Sequence, residues 1–117
     1  MKSDISITEL LFPEGLLDYF EITNYVKESK QITFYLEEKN VIPEEYKTEK
    51  LISKGFLNPI TIEDFPLRGN QVSLKVKRRR WTIESTKEIV SRDWQLVAKG
   101  TRKTQEFASF LKGINRQ

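Results

Sequence analysis

Asp64-Phe65-Pro66-Leu67-Arg68-Gly69-Asn70-Gln71-Val72-Ser73-Leu74-Lys75-Val76-Lys77-Arg78-Arg79-Arg80-Trp81 is the run from which the fold of this chain can be read. An Asp-Phe-Pro shoulder and a Gly69-Asn70 turn lead into Val72, Leu74 and Val76, which alternate with Ser73, Lys75 and Lys77. That period of two marks a strand with one buried face. Alternate side chains on one face lie about 6.6 Å apart, so strict alternation carries Lys75, Lys77, Arg79 and Trp81 onto the face opposite the valines. Arg78 and Arg80 then share the valine face, or mark the place where the strand leaves the core, free to reach phosphates or guanine edges. Such a row of cations suits a nucleic-acid backbone, because cations that displace condensed counterions gain affinity whatever the base sequence. The alternative is a solvated strand face, which is what most charge runs are.

Upstream of this run, Ile60 to Phe65 reads as a short strand. Residues 41–59 read as a loop, with Pro43, Gly55, Pro59 and many charges, and one turn of helix around Glu44 to Lys47. Glu21 to Lys39 reads as a hairpin turning at Lys27-Glu28-Ser29-Lys30, with Ile32, Phe34 and Leu36 on one face of its second arm. Ser6 to Phe20 reads as two short helical pieces, of which Pro13 to Tyr19 is the better, since proline is tolerated where a helix begins. Downstream, Thr82 to Lys87 is expected to connect a second hairpin. Its return arm is Glu88 to Val97, with Val90, Trp94 and Leu96 sharing a face, and Lys99-Gly100-Thr101 breaks it. Phe107, Phe110, Leu111 and Ile114 then follow at i, i+3, i+4 and i+7, the stripe of an amphipathic helix over 101–115 capped by Thr101 or Thr104. Lys99, Arg102 and Lys103 gather at its start, where unpaired backbone N–H groups also attract phosphate.

These elements make one α+β domain of 117 residues. It has an acidic helix and hairpin over 1–40, the loop over 41–59, a basic hairpin over 60–98 and the C-terminal helix. With 38% hydrophobic and 32% charged residues the composition is globular. No apolar run approaches the roughly 20 residues of a membrane span, and the N-terminus lacks the pattern of a signal peptide, so a cytoplasmic protein is expected. There is no Cys and no His, which excludes disulfides, thiolate or histidine catalysis and the usual zinc ligands. Residues 1–66 carry 7 Lys/Arg against 13 Asp/Glu, net −6, and residues 67–117 carry 13 against 4, net +9. A basic half of this density is the footprint of a nucleic-acid-binding surface. The same split would also suit an acidic half that covers the basic strand.

The remaining candidates read as structural. Trp81 and Trp94 are expected in the core, as are Phe107 and Phe110. Asp64 and Glu63, adjacent on a strand, point to opposite faces and make no metal pair, so Asp64 belongs to a turn. Asp93 reads as an ion-pair partner. No glycine-rich phosphate loop is present, and neither catalytic residues nor a cofactor are expected.

Taken together, the motifs resemble the N-terminal region of a family of bacterial insertion-sequence transposases. The matching residues are Asp64-Phe65-Pro66, Gly69, Val72 to Lys77, Arg79-Arg80-Trp81 and Gly100-Thr101-Arg102-Lys103-Thr104. Relatives in that family carry a zinc ribbon and a helix-turn-helix. This chain is most similar to the cysteine-less branch encoded as a short separate protein, a similarity that extends to Ser53-Gly55-Phe56 and to Glu106-Phe107-Ala108-Phe110-Leu111-Lys112. The resemblance implies a DNA-binding role in recognising the ends of a mobile element, with strand cutting and joining left to a separate catalytic subunit. Expected contacts to double-stranded DNA come from Lys75, Lys77, Arg78, Arg79, Arg80, Arg102 and Lys103. The rival readings are an interaction module that docks the catalytic subunit through Phe107, Phe110, Leu111 and Ile114, and an RNA-binding domain whose aromatics stack unpaired bases. Assembly into a homo-oligomer is left open.

Overall fold

The Val72-Leu74-Val76 alternation builds an inner strand of a four-stranded sheet. The computed structural model describes residues 7–100 and 104–116. Strand β5 (Asn70–Lys77) lies between β4 (Ile60–Leu67), antiparallel to it, and β2 (Gln31–Glu38), parallel to it. Strand β1 (Phe20–Glu28) pairs with β2 on the outside, giving the order β1-β2-β5-β4. The β4–β5 hairpin turns at Arg68-Gly69, both with positive φ (53° and 78°). That is the conformation of a two-residue turn whose twist matches the flanking strands, so the turn falls one residue earlier than Gly69-Asn70.

Val72, Leu74 and Val76 are buried, as are Ile32, Phe34 and Leu36 beside them in register. Each such side chain contributes about 1.5–3 kcal/mol relative to leaving it in water. The cover over this face comes from α2 (Leu16–Tyr19), α3 (Trp94–Gly100) and α4 (Gln105–Asn115), through Leu16, Trp94, Phe107, Phe110, Leu111 and Ile114. Thr104 caps α4, its side-chain oxygen accepting from Phe107 N–H at 3.2 Å. Gly113 lets α4 approach the sheet, since a Cβ there would meet Ile62 Cγ2 at 2.8 Å. The first helix, α1 (Ile7–Leu11), buries none of its residues.

A second sheet, of order β3-β6-β7, continues from the end of β5. Its strands are β3 (Leu51–Phe56), β6 (Arg79–Ile83) and β7 (Ile89–Ser91), all antiparallel. Two expectations change here. Residues 51–56 form a strand inside the expected 41–59 loop, because β6 offers them an edge to pair with; the expected helical turn survives as a single 3-10 turn at Glu44–Tyr46. The return arm stops at Ser91, and 94–100 is helix: Asp93 Oδ1 accepts from the N–H groups of Gln95 and Leu96 and starts α3. Asp93 is therefore a helix cap, and it makes no ion pair among the described residues.

The two sheets meet at Glu38, which is completely buried. Its carboxylate accepts from Arg79 N–H at 3.0 Å and pairs with Arg92 Nε at 2.9 Å. Arg92 is itself buried, also donates to the Val41 carbonyl, and lies against the rings of Tyr19, Trp94 and Trp81 at 5.0, 5.7 and 5.9 Å. Trp81 is fully buried beside it, its Nε1–H donating to Asn40 Oδ1 at 2.8 Å. Burial pushes the Glu38 carboxyl above its ordinary range, against the opposing pull of the Arg79 N–H and the Arg92 charge.

Candidate nucleic-acid interface

The expected row of cations runs along the chain but not along one face. The strand breaks at Arg78, between β5 and β6. Lys75 and Lys77 are exposed on the sheet face opposite the core, as alternation requires. Trp81 is not their neighbour in solvent; it has gone into the core beside Arg92.

Arg79 is drawn off as well. Its Nε donates to the Glu38 carbonyl at 3.0 Å, a terminal nitrogen donates to Ser53 Oγ, and the guanidinium lies 4.7 Å from the Phe56 ring. It ties β6 to β2 and β3 and is spoken for by the fold. Arg78 and Arg80 are half-buried. Among the described residues the Nε–H of each is shut away from solvent without a hydrogen-bond partner, and Arg80 makes a long 3.4 Å bond to the Lys54 carbonyl. An unsatisfied guanidinium N–H is costly.

Among the described residues Lys75, Arg78 and Arg80 make no ion pair, and Lys77 makes a loose one, 3.8 Å to Glu37, with both side chains partly exposed. Exposed pairs of this kind are worth about 0–1 kcal/mol, little enough for a phosphate to displace Glu37. Lys75 and Lys77 line a cleft of about 320 Å³ with Thr23, Asn24, Tyr35 and Pro59. The same sheet face turns acidic toward the β4–β5 turn, where Ser73 Oγ donates to Glu63 at 3.0 Å and receives Gln31 Nε2–H at 2.9 Å. The cationic stretch from Lys75 to Arg80 spans about 16 Å of strand, the rise of roughly five base pairs of a duplex. Arg102 and Lys103 lie outside the described residues, as does Thr101, the alternative cap.

Two further expectations are corrected. Phe107, Phe110, Leu111 and Ile114 are all buried against the chain's own sheet, so that face cannot dock another protein. The acidic half is not a cover laid over the basic strand, because β2 is hydrogen-bonded along the whole of β5 within one sheet.

Asp64 is half-buried in a cleft of about 420 Å³ lined also by Leu10, Leu11, Glu14, Phe65 and Glu106. Burial raises its carboxyl above the ordinary 3.8, helped by the nearby Glu106 charge and opposed by the Phe65 N–H. A carboxyl whose folded value is raised gives its full stability below the unfolded value, and loses it as pH rises through the folded one. Asp64→Asn keeps the neutral form at every pH. It is therefore expected to raise Tm at pH 7 and to leave it unchanged below about pH 3.8. A thermal melt of both proteins at pH 3.5 and 7 checks this, and a lower Tm for the variant at pH 7 would contradict it.

No group of three or more carboxylates that could hold a metal ion occurs among the described residues, and no described helix is long and apolar enough to cross a membrane. Comparison with family models, curated proteins and solved structures finds no match to this chain.

Proposed function

We propose that this chain is a DNA-binding component of a transposase, acting in the cytoplasm to help recognise the ends of an insertion sequence while another subunit supplies the catalysis. The observation that carries the reading is the set of cations at the end of β5 and the start of β6, of which Lys75, Arg78 and Arg80 make no ion pair among the described residues and Lys77 makes a loose one, on a stretch whose neighbouring Arg79 is taken up by the fold. The resemblance in motif order from Asp64 through Lys112 gives the reading its biological setting.

Phosphate contacts fall to Lys75, Lys77, Arg78 and Arg80, with Arg102 and Lys103 adding theirs from just before α4. Arg79 supports the interface from behind. If the four described cations each neutralise one phosphate, log K falls with log salt at a slope near −3.6.

The test is a fluorescence-anisotropy titration at several salt concentrations, with a duplex carrying the element's terminal repeat and a scrambled duplex. Preference for the repeat, with the slope reduced by about 2 in an Arg78→Ala, Arg80→Ala variant, is the expected result. A folded protein that binds neither duplex, or binds with a slope near zero, would end this reading.

A further inference from the structure

We propose that copies of this chain associate end to end, the acidic, apolar end of one docking on the basic, apolar face of the smaller sheet of the next. The first surface surrounds α1. Ile7 and Leu10 are 74% and 72% exposed, Phe65 across the cleft is 54% exposed, and Asp64 and Glu106 line the same cleft. Exposed apolar side chains that cluster, as Leu10, Leu11 and Phe65 do around this one cleft, are where contact surfaces form.

The second surface is the outer face of the β3-β6-β7 sheet. Ile52 and Ile89 flank Thr82 in register from either side, and they are 49% and 54% exposed. Arg80, two residues before Thr82, projects from the same face, with Lys54 two residues after Ile52. Neither cation has a carboxylate partner among the described residues. One surface thus presents apolar side chains with carboxylates, and the other presents apolar side chains with cations.

The two cannot meet within one molecule. Val72 lines the first, Arg80 belongs to the second, and eight residues of extended chain between them span about 26 Å. They can meet only between copies. Because different patches are joined, the contact is heterologous and propagates into a ring or an open chain. The docking face shares Arg80 with the phosphate contacts, but Ile52 and Ile89 take no part in those, so changing these two side chains tests association while leaving every proposed DNA-binding cation in place.

Sedimentation velocity of the full chain over a range of concentrations tests this. The weight-average mass should rise above 13.8 kDa as the protein approaches roughly 100 μM, the weak regime suited to small, partly polar contacts, and should fall back at high salt. Two variants, each altered only at exposed side chains, dissect it: Leu10→Ser with Phe65→Ser, and Ile52→Ser with Ile89→Ser. Each alone should remain at 13.8 kDa with a melt like that of the parent. Mixed in equal amounts they should form a capped pair of twice that mass and nothing larger, since each keeps one intact surface. A parent chain that stays monomeric, association that persists in either variant, or folded variants that ignore each other would each overturn the proposal.

Discussion

Replacing Arg92 with alanine is expected to cost about 3–5 kcal/mol of folding stability, a large share of the 5–15 kcal/mol that holds a domain together. The reason lies in what is left behind. Glu38 is completely buried, and without Arg92 its carboxylate retains only the Arg79 N–H as a donor. The three aromatic rings around the guanidinium also lose the group that they enclose. Glu38→Ala should cost a similar amount for the mirror-image reason, since Arg92 would then be a buried cation with one carbonyl for company. The double variant should cost much less than the sum, because neither orphaned charge remains. Urea denaturation followed by tryptophan emission reads all three, since Trp81 and Trp94 both lie against Arg92. A cost below about 1 kcal/mol for Arg92→Ala would show that water reaches Glu38.

Removing residues 1–40 is expected to abolish folding. The truncation takes out β1, β2, Leu16 and Phe20, exposing one side of β5 and uncovering Val72, Leu74 and Val76. It also removes Glu38 and so strands Arg92. The shortened chain should show no cooperative transition in far-UV circular dichroism and a solvent-exposed tryptophan spectrum. If it instead melts cooperatively, the basic half is a unit of its own and the parallel β2–β5 pairing is dispensable.

What could be read beforehand follows a physical divide between local and distant causes. Val72, Leu74 and Val76, the turn near Ser29 and the stripe from Phe107 to Ile114 announce themselves, because the period of the apolar residues is the period of the backbone. Glu38 also carries a local signal. It continues the buried alternation of Ile32, Phe34 and Leu36, and a carboxylate at such a position requires a buried partner. Asp93, two residues before the N–H group of Gln95, carries another, that of a helix cap.

The rest depended on partners far along the chain. Leu51 to Phe56 has no clean alternation, and its register shifts between Ser53 and Phe56, around Gly55 with its φ of 86°; only the edge of β6 makes it a strand. Alternation puts Lys75 and Lys77 on the outer face, where they lie exposed. Alternation does not extend to Arg79 and Trp81, because the break at Arg78 and the pull of Glu38 and Asn40 are tertiary effects with no local trace.

The parallel pairing of Gln31–Glu38 with Gln71–Lys77 sets a condition on how the chain must be made. The two strands are not joined by a hairpin, so β2 cannot begin its pairing until the ribosome has added the 33 residues from Lys39 to Gln71. At 5–20 residues per second that interval is roughly 2–7 s. During it the β1–β2 hairpin stands with an open edge and an uncovered apolar face of Ile32, Phe34 and Leu36. The window is when the nascent chain is most prone to pair with the wrong strand, and when a chaperone that shields apolar surface would matter most.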